Sequence, residues 1–209
     1  MPPDQAREID ELVKKIWETQ IKKDYNDCLI FEESALRGAF YHRLRVGMKK
    51  TLKDLVVYPE MRVRSPKGEN LRIDLAVVEM GKKCDAKTSA GECERNWELN
   101  GSCITKLVAA FEFKHWERFK RAQGYDVWKD LKKIKKYSEG IYYHDDTSKK
   151  PKRLKAERTY LGILLDKDRT QTREAILGKR GERNDVRLLL GVDLGKKSEF
   201  RYMEPSREE

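Results

Sequence analysis

Leu71-Arg72-Ile73-Asp74-Leu75-Ala76-Val77-Val78 and Val108-Ala109-Ala110-Phe111-Glu112-Phe113-Lys114 are two apolar runs of strand length, each interrupted by a carboxylate. Period-two alternation predicts Leu71, Ile73, Leu75 and Val77 on one face of the first strand and Arg72, Asp74, Ala76 and Val78 on the other. In the second it puts Glu112 and Lys114 together, opposite Phe111 and Phe113. A carboxylate in such a run is costly to bury unless it is paired, hydrogen-bonded or bound to a metal. If the two strands are neighbours, Asp74 and Glu112 face one cation, a hard-oxygen pair suited to Mg²⁺ (or Mn²⁺). Lys114 would then stand beside the attacking water, either orienting it or helping to deprotonate it. For Glu-x-Lys alone, a salt-bridge network at a sheet end is the better explanation; the whole arrangement of helix, hairpin with Asp, buried strand with Glu-x-Lys and helix favours the site instead.

Upstream of these strands, Ile9, Leu12, Val13 and Ile16 recur at helical spacing and predict an amphipathic helix over 5–22. A polar break from Lys22 to Asp27 separates it from a second helix over 31–48, with Phe31, Ala35, Leu36, Ala39, Phe40 and Leu44 as its stripe. Pro59 marks a change of regime. Met61 to Arg64, and Leu71 to Glu79, joined by Ser65-Pro66-Lys67-Gly68-Glu69-Asn70, then read as a hairpin. Residues 80–104 are polar and hold three of the four cysteines, the pattern of a long loop. Leu107 to Phe113 is a strand, 125–139 a helix on Val127, Leu131 and Ile134, and Asp145 to Lys155 a basic loop. Tyr160 to Leu165 and Val186 to Val192 are two further strands. The order is α, α, β, β, β, α, β, β, an α/β sheet flanked by helices.

Ile73-Asp74-Leu75 followed by Ala110-Phe111-Glu112-Phe113-Lys114 resembles the PD-(D/E)xK superfamily, the restriction-endonuclease-like nucleases. The resemblance implies an αβββαβ core with a mixed central sheet over 30–166. An extra N-terminal helix (5–22), a Cys-containing insertion (80–104) and a C-terminal strand extension (167–209) would complete a single domain, 1–209. It implies Asp74 and Glu112 as metal ligands, the Phe113 main-chain carbonyl as a further ligand, and Lys114 as the catalytic lysine. Many such nucleases add a glutamate from the first core helix. Glu32 and Glu33 both qualify, and Glu33 is preferred because its spacing to Leu36, Phe40 and Leu44 resembles the superfamily's Glu-x-x-Leu patterns. A glutamate favoured by the helix dipole is the competing explanation. The implied activity is metal-dependent endonucleolytic hydrolysis of DNA, in repair, recombination or defence. An RNA-directed nuclease, or an inactive binding or scaffold protein on the same fold, are the alternatives. The sequence departs from the usual pattern in having Ile73, not proline, before Asp74 and a long step from Asp74 to Glu112.

Charged residues make up 39% of the chain, with 46 Lys and Arg against 36 Asp and Glu and a net charge of +10. That balance favours a polyanionic partner, nucleic acid ahead of a membrane surface, and the resemblance puts DNA ahead of RNA. Lys149, Lys150, Lys152, Arg153 and Lys155 in the basic loop are the candidate phosphate contacts. Lys129, Lys132, Lys133 and Lys136 read as a solvated helix face, with Lys133 pointing away from the active site. Glu60 is either a strand-end charge or a secondary acid near the cleft. His42, His115 and His144 share no metal-ligand spacing, and no Gly-rich phosphate loop is present. No run approaches roughly 18 apolar residues, and no secretory pattern opens the chain, so a cytoplasmic protein is expected. Cys28, Cys84, Cys93 and Cys103 contain no C-x-x-C pair, which leaves a structural metal, a disulfide or free thiols open. Such nucleases often form homodimers, although no heptad or apolar surface stripe marks a partner face.

Overall fold

The computed structural model describes residues 3–52, 55–81, 104–116, 127–143, 151–165, 185–195 and 197–205. It is an α/β fold built on a mixed eight-stranded sheet. The helices are α1 (Pro3–Lys15), a π-helical turn (Ile16–Ile21), α2 (Lys22–Asn26), α3 (Glu33–Thr51) and α4 (Val127–Glu139). The strands are β1 (Leu55–Arg64), β2 (Asn70–Met80), β3 (Ile104–Trp116), β4 (Ile141–Tyr143), β5 (Lys152–Leu154), β6 (Arg158–Leu165), β7 (Val186–Asp193) and β8 (Ser198–Met203). Their order across the sheet is β5-β4-β1-β2-β3-β6-β7-β8. β1, β2 and β3 form an antiparallel meander, β6 and β7 run parallel to β3, and β8 returns antiparallel to β7.

Each face of the sheet is covered by helices whose stripes were visible in the sequence. On one face Ile9, Val13, Ile16, Leu36, Phe40 and Leu44 pack against Val57, Leu75, Val77, Phe111 and Phe113. On the other, Leu131, Ile134 and Tyr137 of α4 pack against Met61, Val63, Ile73, Ala76 and Ile163. The N-terminal helix is therefore part of the core. The expected break at 22–27 is instead helical through Asn26, because the π turn adds a residue and lets Ile16, Trp17 and Ile21 all be buried. Asp10 fastens α1 to the sheet, accepting hydrogen bonds from the Tyr160 hydroxyl at 2.6 Å and the Tyr202 hydroxyl at 3.1 Å and pairing with Arg158 and Arg187.

Pro59 lies inside β1 and does not mark its start. It is tolerated because β1 pairs with β2 along its length but meets β4 only at Arg64, so among the described residues no strand pairs with the other edge there. The expected loop over 145–155 ends in strand β5, while 144–150 lie outside the described residues, as does most of 80–104. β8 continues the C-terminal extension beyond the strand expected there.

Gly162 on β6 sits directly across from Phe113. A β-carbon there would come within 2.5 Å of the Phe113 ring, so the ring occupies the space a side chain would take. The same ring stacks on Phe111 and tilts against Phe40 at a centroid distance of 5.0 Å, fixing the height of β3. Gly162→Ala is expected to destabilise the fold by about 1–3 kcal/mol, as overpacking does. A thermal melt that leaves Tm unchanged would refute this account of the contact.

Candidate functional site

β2 and β3 run side by side as far as Leu75 and Phe111, then part. Beyond that point β2 continues only with β1, and β3 only with β6. The Phe113 amide has thus lost its strand partner and needs another acceptor. Asp74 supplies it, its Oδ2 accepting the Phe113 N–H at 2.8 Å. The notch between the diverging strands holds the acidic residues, with the N-terminal turn of α3 on one side and α4 on the other.

Alternation along β1 and β2 shifts phase at this level. Glu60 has φ of 51°, the left-handed region that costs a residue with a β-carbon about 1–2 kcal/mol. The register runs Pro59↔Leu75 and Met61↔Ile73 without pairing Glu60 and Asp74 between them. As a result Leu71 and Ile73 share the α4 face with Ala76 and Val78, while Leu75 and Val77 face α3. The simple alternation expected for β2 therefore fails at Asp74, and the failure lies beside a backbone strained at Glu60. Strain of this kind concentrates at functional sites.

Asp74 is 5% exposed and Glu112 is fully buried. Their charges are met by neighbours from three elements. Arg37 of α3 lies 3.5 Å from Asp74 Oδ1 and 3.0 Å from Glu60. On the other side Lys133 of α4 donates to Glu112 Oε2 at 2.7 Å, and the Tyr137 hydroxyl donates to Glu112 Oε1 at 2.7 Å. Lys114 Nζ lies 3.3 Å from Glu33, whereas Glu32, just before α3, accepts a hydrogen bond from Ser34, so of the two candidate glutamates it is Glu33 that joins the cluster. Asp130 is also buried, and among the described residues its Oδ2 has no hydrogen-bond partner.

Burial, followed by the neighbouring Asp74 charge, raises the Glu112 carboxyl to about 7 despite Lys133 and Tyr137. Burial likewise raises Asp130, against the pull of Lys114 and Lys133. For Lys114 burial is the largest single influence and favours the neutral amine, but Glu33, Asp130 and Asp74 together outweigh it and hold the ammonium above its usual range. Lys114 is therefore placed to act as a fixed positive charge. The alternative of a neutral lysine taking a proton from water is disfavoured by this surrounding acid.

Carboxylates outnumber cations here: Glu33, Glu60, Asp74, Glu112 and Asp130 against Arg37, Arg72, Lys114 and Lys133. A bound cation would relieve the burial and carboxylate repulsion that raise Glu112 and Asp130. It would also give a partner to the Asp130 oxygen that has none among the described residues. Among the described residues no three His, Cys, Asp or Glu side chains form a ready-made cage. Mg²⁺ does not require one, since it keeps several waters and takes one or two carboxylates. Binding it requires Asp74 and Glu112 to exchange protein donors for the ion.

Lys133 corrects the sequence reading. Helical periodicity turned it away from the site, yet its long side chain reaches back to Glu112. Tyr137 and Asp130 were also missed, although their spacing to Ile134, three residues after it and four before, puts them on the buried face of α4. Arg37 carried no sequence signal beyond lying four residues after Glu33.

The basic segment is arranged differently from expectation. Lys152 and Arg153 belong to β5, at the far edge of the sheet, where Lys152 donates to the Ile104 carbonyl and Arg153 to the Glu139 carbonyl at 3.2 Å. Lys155 is exposed, and Lys149 and Lys150 lie outside the described residues, as do Cys84, Cys93 and Cys103. Cys28 is an exposed free thiol. No described helix is long and apolar enough to cross a membrane.

The fold and site together define an α/β protein with a buried, acid-rich notch that carries one ion-paired lysine from its central strand. No family model, curated protein or solved structure matches the chain.

Proposed function

We propose that the chain is a Mg²⁺-dependent nuclease of the restriction-endonuclease-like class, hydrolysing phosphodiester bonds in DNA. The observation that carries this reading is the meeting of Asp74, Glu112 and Lys114 where β2 and β3 diverge, with Asp74 bonded to the Phe113 amide. The order α3, then β1, β2 and β3, then α4, with β6 parallel to β3 after the short strands β4 and β5, supports this reading.

Asp74, Glu112 and the Phe113 carbonyl would hold the ion. When bound there, Mg²⁺ supplies charge neutralisation at the scissile phosphate and a more acidic water. The protein contributes orientation and fixed charge. Glu33 steers the Lys114 ammonium, which can donate to a phosphate oxygen or to the attacking water. Lys133 and Tyr137 hold the Glu112 carboxylate in place until substrate and ion arrive. Arg37 does the same for Asp74.

A second reading, a binding protein without activity, draws on one observation: both carboxylates are already engaged by protein cations or donors. Plasmid, single-stranded and branched DNA, and RNA, incubated with the protein in Mg²⁺, Mn²⁺ or EDTA, decide between them. Divalent-dependent cleavage of DNA is expected. Binding without cleavage under every condition would leave the second reading standing and end the first.

A further inference from the structure

The phase shift at Glu60 and Asp74 has a second consequence on the outer half of the β1–β2 hairpin. With Met61, Val63, Leu71 and Ile73 turned to the α4 side, Arg62, Arg64 and Arg72 are turned to the opposite face, beyond the N-terminal end of α3. All three are exposed. Arg62 and Arg72 are direct cross-strand partners. Like charges in that relation destabilise a hairpin. Arg72 lies 3.6 Å from Glu60, but among the described residues neither Arg62 nor Arg64 has an ion-pair partner. The hairpin thus bears a like-charge conflict that Glu60 offsets only at Arg72.

We propose that Arg62, Arg64 and Arg72 form the track on which the phosphate backbone of the nucleic-acid substrate lies as it enters the Asp74–Lys114 notch; this deepens, and rests on, the nuclease reading. Arg72 is two residues from Asp74, and Arg64 is two residues from Arg62. Along a strand such steps are about 6.7 Å, of the order of the distance between successive phosphates on one strand. Arginine suits the task, since its planar fork donates two hydrogen bonds to one phosphate. The track is also continuous with the site: Arg72 and Arg37 both reach Glu60, and Arg37 reaches Asp74. The β5 lysine and arginine sit at the sheet edge, with three strands between β5 and β3, and are tied to main-chain carbonyls, which makes them the weaker candidates.

The test separates binding from cleavage by working in EDTA. A short fluorescein-labelled DNA single strand and the matching duplex are titrated with wild type, Arg62→Ala/Arg64→Ala, and Lys14→Ala/Lys15→Ala across a salt series. Lys14 and Lys15 are exposed on α1 and carry the same total charge. The arginine double variant is expected to bind about 10-fold more weakly or worse, with a salt slope smaller by about 1–2, while the lysine control stays within about twofold. Because the arginines repel one another, the double variant should melt no lower than wild type. Unchanged affinity and slope in the arginine variant would overturn the track while leaving divalent-dependent cleavage, assayed separately, as evidence for the nuclease. An equal loss in the control would reduce the effect to net charge and overturn it as well. So would a wild type that binds neither DNA.

Discussion

Lys114→Ala is expected to lower the rate of divalent-dependent DNA cleavage by about 10²–10³-fold or more, the loss typical of removing one preorganised charge from a reacting phosphate or carbonyl. Affinity for DNA in EDTA should change little, because Lys114 points into the notch toward Glu33 and lies off the exposed hairpin. The fold should survive, since the Glu33 partner left behind is partly exposed and can be hydrated. Lys114→Arg keeps the charge but replaces a point ammonium with a planar fork, so partial recovery at most is expected. Glu33→Gln probes the surroundings independently. Removing that carboxylate lets the Lys114 ammonium lose its proton at lower pH, so the rate of this variant should decline on the alkaline side before that of wild type. Single-turnover rates at saturating protein read all three. Cleavage at the wild-type rate by Lys114→Ala would remove the lysine from the mechanism, and no rearrangement of its neighbours would restore it.

The residues that were legible in the sequence share one property. Asp74 and Glu112 stand out because a charge inside an apolar strand must have a reason, and Lys114 follows from the two-residue period. The helices on Ile9-Val13-Ile16, Leu36-Phe40-Leu44 and Leu131-Ile134 were legible for the same kind of reason, a clean period. What escaped depends on more than period. The turn of phase at Glu60 comes from a left-handed backbone that glutamate does not advertise. Lys133 has a side chain long enough to contradict the direction of its own α-carbon. β4 and β5 are three residues each, and β5 and β8 carry charged residues as sheet-edge strands commonly do, so neither strand shows an apolar run. Pro59 was read as a boundary because strand pairing on only one edge of β1 beside it, among the described residues, is a fact of sheet order, absent from local sequence.

The site also connects the protein's stability to its chemistry. The fold buries two carboxylates near one another, and Glu112 bears the cost, which is why Lys133 and Tyr137 are recruited to it. A cation between the carboxylates would remove that cost. Without a cation the protein is therefore expected to carry that cost at the notch, and the cost should depend on pH.

Glu112→Gln tests this directly. A carboxyl raised from its ordinary 4.5 to about 7 by folding binds its proton more tightly in the native state than in the unfolded chain. The native state then holds more protons between those values, so stability is fully present below about 4.5, falls as pH rises, and levels off above about 7. The size of that loss is roughly 3 kcal/mol. Glutamine keeps the shape and accepts the Tyr137 hydrogen bond without titrating. In EDTA, the melting temperature of Glu112→Gln relative to wild type should therefore climb between pH 4.5 and pH 8, by about 6–12 °C for a chain of this size. Loss of the Lys133 hydrogen bond offsets the variant as a whole, so the test reads the change of the difference with pH and not its absolute size. Adding Mg²⁺ at pH 8 should then raise the wild-type midpoint by mass action and leave the glutamine variant nearly unmoved. A difference between the two proteins that stays flat across pH would mean that Glu112 is ionised and comfortable in the folded state, and the notch would lose its claim to need a cation.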